Sequence, residues 1–156
     1  RGYHPEFDFF RRECFGHDYG YFGPLLAPGA SPEELREIHR EKKACYASYL
    51  KYAVKNEHLF RLIRLMRSEY HTALVTAGSR ANSTDILTRF GEQDSFDLCL
   101  TAENVTKAKP DPQGFLKAME YFNVTPEQTI IFEDSPTGIK AAQASGATLF
   151  VVEGFN

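Results

Sequence analysis

Hydrophobic and polar positions divide the chain into two textures. From residue 57 onward, short apolar runs alternate with stretches of helical period. A helix is expected over about Glu57–Tyr70, with Leu59, Leu62, Ile63, Leu65 and Met66 inward. The run Thr72-Ala73-Leu74-Val75-Thr76 reads as a strand, followed by a helix over about Ser83–Phe90 and a second strand from Phe96 to Leu100. Pro112–Phe122 is helical, with Phe115, Leu116 and Met119 on one side. Thr129–Glu133 is a third strand, Ile139–Ala144 a helix stopped by Gly146, and Thr148–Val152 a fourth strand. Continuous apolar strands separated by helices indicate an α/β fold, with an open, doubly wound parallel sheet covered on both faces.

Residues 1 to about 56 lack such strands. Ser31 is a good N-cap, Pro32 suits the first helical position and Glu34 completes a capping box, so a helix is expected from there through Leu35, Ile38, Cys45, Tyr46, Tyr49 and Leu50. Gly20 to Gly29 holds several glycines and prolines and reads as a loop or short turns. The division expected is a helical N-terminal part, 1–56, and an α/β part, 57–156.

In open parallel sheets, ligands bind at the carboxyl ends of the strands. Three polar clusters fall there: Thr76-Ala77-Gly78-Ser79-Arg80, the stretch Thr101–Pro112 with Lys107, Lys109 and Asp111, and Glu133-Asp134-Ser135. After Thr76, small residues let backbone N–H groups approach an anion at a helix start, though many strand ends carry Thr for local hydrogen bonding alone. Lys109 lies in Lys109-Pro110-Asp111-Pro112, a stiff frame that presents an ammonium to a phosphate and a carboxylate. Its alternative is a solvated surface lysine, and Lys107 is a competitor without the proline frame. Glu133 and Asp134 directly follow a buried strand, where ionised acids are costly unless paired or metal-bound. Beside a phosphate they suit Mg²⁺; alternatively, Asp134 or Ser135 caps the helix entered through Pro136.

Composition narrows the classes. Net charge is -3, which opposes a nucleic-acid protein with a broad basic face. No apolar run approaches the roughly 20 residues needed to cross a bilayer. Cys14, Cys45 and Cys99 give neither a disulfide framework nor a zinc motif, and the five histidines show no metal-ligand spacing, so a reduced, cytoplasmic setting is expected. No GxSxG, GxxxxGK[ST] or GxGxxG occurs.

The strand ending in Thr76, then Lys109-Pro110-Asp111-Pro112, then Ile130–Phe132 with Glu133-Asp134-Ser135-Pro136-Thr137-Gly138-Ile139, resembles the second, third and fourth motifs of the haloacid dehalogenase-like superfamily. The last stretch is most similar to its β-phosphoglucomutase-like and sugar-phosphatase branch. The resemblance covers nearly all of residues 57–152 and implies a Rossmann-like core beneath a helical cap remnant. It implies that Thr76 binds the transferring phosphoryl group with the backbone of Ala77 and Gly78, and that Lys109 stabilises charge there. Asp134 would be the principal Mg²⁺ ligand and Glu133 a second ligand or an orienting acid. Arg80, Lys43 and Arg40 are candidate substrate contacts, against the alternative of a solvated surface.

The implied activity is Mg²⁺-dependent phosphoryl transfer to or from a small phosphorylated metabolite, through an aspartyl-phosphate. A phosphatase is expected first, then a phosphomutase or an inactive phosphate-binding module. The family's first motif, an apolar strand ending Asp-x-Asp, is not found; Asp8 in Phe7-Asp8-Phe9-Phe10 is the nearest imitation. That strand would be central in the sheet, so a gap is expected in its place. Since the chain opens Arg1-Gly2-Tyr3-His4-Pro5, without an initiator methionine, the natural protein is expected to extend upstream.

Overall fold

The structure is a computed structural model that describes residues 4–17 and 19–153. The opening segment Arg1–Tyr3 lies outside the described residues.

The N-terminal part is a helical layer. Helix α1 (Phe7–Phe9) runs into a π-helical turn, Phe10–Cys14, and is followed by α2 (Tyr19–Leu26) and α3 (Pro32–Tyr49). Helix α3 begins as expected: Ser31 Oγ accepts from Glu34 N–H, and Glu34 Oε2 accepts from Ser31 N–H at 2.7 Å. The expected loop over Gly20–Gly29 is instead helical as far as Leu26, with Pro24 inside α2. Tertiary packing explains the difference: Phe22 and Gly23 are buried, and Gly23 lies so close to the Tyr19 ring that a Cβ would sit 2.9 Å from it. Here glycine serves close approach rather than turning.

A 3-10 turn, Leu50–Tyr52, leads through an extended stretch to α4 (Glu57–Met66), capped by Asn56. The α/β part then runs β1 (Ala73–Val75), α5 (Arg80–Phe90), β2 (Leu98–Leu100), α6 (Gln113–Phe122), β3 (Ile130–Glu133), α7 (Pro136–Ser145) and β4 (Thr148–Val151). All four strands and the alternation match expectation, with boundaries moved by at most four residues. Leu65 and Leu116, expected inward, are exposed. For Leu65, the inward stripe of α4 is narrower than the run of apolar residues.

Strands β1 and β2 pair in parallel, Ala73 opposite Leu98. Strands β3 and β4 also pair in parallel, Ile130 opposite Thr148. Among the described residues no ladder joins the pairs, so the sheet is divided between β1 and β3. Helix α6 packs against β1, β2 and α7, while α7 packs against β3 and β4. Phe115, Met119, Ile131, Ala141 and Ala142 form the buried cluster, with Val75 and Leu149 against it. The hydrophobic core therefore spans the division although the backbone ladder does not. The opposite face of β3–β4 departs from the expectation of cover on both sides: Ile130, Phe132 and Phe150 are exposed, with the Phe132 and Phe150 rings stacked at 5.5 Å.

Candidate phosphate and cation site

Thr76 N–H donates to Leu100 O at 2.9 Å, extending the β1–β2 pairing by one residue. The hydroxyl Oγ1 of Thr76 accepts from Gly78 N–H at 3.0 Å. With an acceptor site filled, the hydroxyl proton is available to point outward, which suits donation to an anion. The same bond occupies the Gly78 N–H, so that group is engaged within the loop and is not presented to a ligand. Ser79 caps α5 through Asn82 N–H, and Arg80 N–H donates to the Glu103 carboxylate at 3.1 Å. The Arg80 side chain stays exposed.

The Lys109 segment is stitched in place by Gln113, a residue the sequence reading missed. Its Oε1 accepts from Thr106 N–H at 2.7 Å and from Lys107 N–H at 3.0 Å, while its own N–H donates to Asp111 Oδ1. The only signal for it was its place just inside the helix that follows Pro112. The Lys109–Pro110 peptide is cis. Lys107 points to solvent, 69% exposed, and pairs loosely with Asp111. Lys109 does the opposite: its side chain is 14% exposed and its Nζ donates to Glu133 Oε1 at 2.6 Å and to Val75 O at 3.2 Å. One ammonium thus bridges the divided sheet, from the edge carbonyl of β1 to the acid that ends β3. It also lies 4.9 Å from the centre of the Phe115 ring.

Glu133 is buried and heavily engaged. Besides Lys109, Ser135 Oγ donates to it at 3.2 Å and Asp134 N–H at 3.0 Å. Gly138 makes room for it: a Cβ there would stand 1.6 Å from Glu133 Oε1. Ser135 caps α7 by accepting from Gly138 N–H, so the capping role goes to Ser135 and not to Asp134. Asp134 is exposed as a residue, yet partial burial of its carboxyl pushes its pKa up, and the adjacent Glu133 carboxylate pushes it further. A backbone hydrogen bond and, least of all, the Lys109 charge oppose these effects.

Thr76, Ala77, Lys107, Lys109 and Asp111 line one cavity of about 160 Å³, floored by Val75, Leu100 and Gly114. Gly16 of the helical layer closes one side; its carbonyl accepts from Thr137 Oγ1 at 2.5 Å. Glu133 joins this site through Lys109, and Asp134 through its bond to Glu133. Arg80 and Lys43, like Arg40, are not in the lining; Lys43 and Arg40 are exposed on α3, and Arg40 pairs with Glu37 on its own helix.

Among the described residues no cluster of three or more His, Cys, Asp or Glu could enclose a metal. The donor set fits a different kind of site. Mg²⁺ commonly takes one or two carboxylates and fills its octahedron with phosphate oxygens and water. Asp134, an exposed oxygen donor, suits that arrangement, with Glu133 beside it already serving Lys109.

Parallel strand pairs with helices between them define an α/β domain, with the Thr76 hydroxyl, the Lys109 ammonium and the Glu133–Asp134 acids gathered beyond the ends of β1 and β3. The chain belongs to the haloacid dehalogenase-like hydrolase family, whose profile matches residues 30–152. A validoxylamine A 7'-phosphate phosphatase from Streptomyces hygroscopicus subsp. limoneus is 39% identical over 85 residues, covering 54% of this chain and 40% of that protein. A phosphorylated carbohydrates phosphatase from Thermotoga maritima is 30% identical over 112 residues, covering 71% of this chain and 50% of its own length. The chain therefore spans about half the length of these relatives. The crystal structure of a β-phosphoglucomutase from Clostridium difficile superposes with a TM-score of 0.71 at 25% identity, covering 84% of this chain and 60% of that one. That of CbbY from Rhodobacter sphaeroides in complex with phosphate gives 0.70 at 26%, covering 80% and 58%. No helix among the described residues is long and apolar enough to cross a membrane.

Proposed function

We propose that this chain supplies the phosphate- and cation-binding half of a phosphoryl-transfer site that acts on a small phosphate monoester, most simply a sugar phosphate. The observation that carries the reading is the placement of Lys109 between the Val75 carbonyl at the end of β1, next to Thr76, and Glu133 at the end of β3. Thr76 donates its hydroxyl to a phosphoryl oxygen, and the N–H of Ala77 joins it at the foot of α5. Lys109, oriented by Glu133, faces the charge that builds on the phosphoryl group. Such preorganised donors, aimed at developing charge, supply most of the catalysis in phosphoryl transfer.

Asp134, with Glu133 behind it, would hold Mg²⁺, which bound there would neutralise phosphate charge. The Phe15–His17 segment and α3 form the cover that excludes water and selects the substrate. The attacking carboxylate comes from outside these 156 residues, at the end of an apolar strand lodged between β1 and β3. The relatives named as phosphatases of phosphorylated carbohydrates support the substrate class. The β-phosphoglucomutase likeness favours a phosphomutase as second reading, in which the phosphoryl group returns to a sugar instead of passing to water.

The test is phosphate release from sugar phosphates, phosphoglycolate and nucleotides, in Mg²⁺ and in EDTA, by the chain alone and with an added apolar strand peptide ending Asp-x-Asp. Release that needs both the peptide and Mg²⁺ is expected. Release by the chain alone would overturn the assignment of the nucleophile. No release under any condition, together with phosphate binding, would make the chain a binding module.

A further inference from the structure

Helix α6 starts beside the cavity, and its first turns are spent on the loop that carries Lys109. Gln113 bonds that loop on both sides of the lysine. Ahead of Lys109, Gln113 Oε1 accepts from Thr106 N–H at 2.7 Å and Lys107 N–H at 3.0 Å, while its Nε2 donates to Thr106 Oγ1 at 2.9 Å. Behind Lys109, Gln113 N–H donates to Asp111 Oδ1 at 3.0 Å. The lysine therefore lies between two points that one residue holds. One turn further along the same face of α6, Lys117 Nζ donates to Asn104 O at 2.6 Å and ties the start of the loop as well.

The footing of these bonds is fixed in turn. Gly114, the next residue, lies against β1: a Cβ there would stand 2.8 Å from Val75 Cγ1, so only glycine lets the helix start this close to the strand. The Lys109 ammonium returns to the same strand residue, donating to Val75 O at 3.2 Å. The path from Val75 through Gly114, Gln113 and the loop to Lys109 thus closes on Val75. Such closure matters for a lysine, whose flexible four-carbon stem has much rotamer freedom to lose. Where the loop places its Cα decides whether Nζ meets Glu133 Oε1, as here at 2.6 Å, or stays in solvent like that of Lys107.

We propose that Gln113 is a positioning residue for Lys109: by bonding the loop before and after the lysine, it seats the ammonium on Glu133 and Val75 O, at the edge of the phosphate cavity. An amide suits the task. Its oxygen takes two N–H groups at once, and it adds no negative charge beside a cavity that is to accept a dianion. The inference rests on the reading of Lys109 as the cation that faces the phosphoryl group. Its test uses no phosphate, so its failure is distinguishable from a failure of phosphate binding.

The experiment is acetylation of the folded chain by limiting acetic anhydride, with the rate at each lysine read by mass spectrometry. Gln113→Met removes the amide at nearly constant length. Lys109 acetylation should rise about five- to tenfold, while Lys107, already exposed, and Lys140 of α7 keep their parent rates. Gln113→Glu restores the acceptor, with Thr106 Oγ1 free to donate to it, and should return Lys109 to within about twofold of the parent. If Gln113→Met does not fold, Gln113→Asn, a methylene too short to reach the loop, takes its place in the comparison. Parent-like acetylation of Lys109 without the amide, an equal rise at every lysine, or no restoration by Gln113→Glu would overturn the positioning role.

Discussion

Replacing Lys109 with methionine keeps the length and apolar body of the side chain and removes only its charge. In the parent protein that charge meets Glu133 Oε1 at 2.6 Å, with 14% and 10% of the two side chains exposed. Breaking a buried pair by removing one partner typically costs about 3–5 kcal/mol, because the other charge is left stranded. Ser135 Oγ and Asp134 N–H continue to donate to Glu133, and the pair is not fully dry, so a loss of about 2–3 kcal/mol is expected. With a urea slope near 2 kcal/mol/M, the unfolding midpoint should fall by roughly 1–1.5 M. Glu133→Gln should also destabilise, since it strands the ammonium. The double variant should recover part of the loss, giving a coupling energy of about 1 kcal/mol or more. A midpoint for Lys109→Met within about 0.3 M of the parent, or losses that simply add, would refute the bridge across the divided sheet.

Gly138→Ala puts a methyl group where the Glu133 carboxylate lies, so it should cost about 1–3 kcal/mol and, by displacing Glu133, abolish the Lys109–Glu133 coupling in the same urea cycle. Asp134→Asn tests the sign of a charge. The folded carboxyl has a raised pKa, so the parent's stability from this group is greatest below the unfolded value, about 4, and is lost as pH rises through the folded value. Near neutral pH the variant should therefore be slightly more stable, by about 0.5 kcal/mol, with the gain vanishing in acid; a loss near neutrality would contradict this. Thr76→Val should weaken phosphate binding by about 1.5–3 kcal/mol, roughly ten- to a hundredfold, measured by calorimetry, and Thr76→Ser should restore it.

The alternation of helix and strand was legible because its signals are local: apolar runs of four or five residues, a capping box at Ser31, a stop at Gly146. The same locality misled at Tyr19–Leu26, where glycine and proline read as loop, but packing of Phe22 and Gly23 against Tyr19 holds a helix. It also put Leu65 and Leu116 inside, since a run of apolar residues does not say how wide the buried stripe is. At the site, Thr76, Lys109 and the Glu133–Asp134 pair stood out because strand ends and proline frames restrict where those side chains go. How the two acids divide their work was hidden. That depends on which oxygen Lys109 reaches, and so on Gly138 leaving space, a contact between residues five apart that no periodicity reports. Gln113 was illegible for a related reason: it acts through the backbone N–H groups of Thr106 and Lys107.

In the proposed function, one dianion and one divalent cation share the ends of β1 and β3. Calorimetric titration of the chain with inorganic phosphate, in Mg²⁺ and in EDTA, and again with Asp134→Asn, tests this most directly. Phosphate should bind more tightly when Mg²⁺ is present, and Asp134→Asn should erase that difference while leaving binding in EDTA unchanged. Equal phosphate affinity with and without Mg²⁺ in the parent chain, or a Mg²⁺ effect that survives in Asp134→Asn, would contradict it.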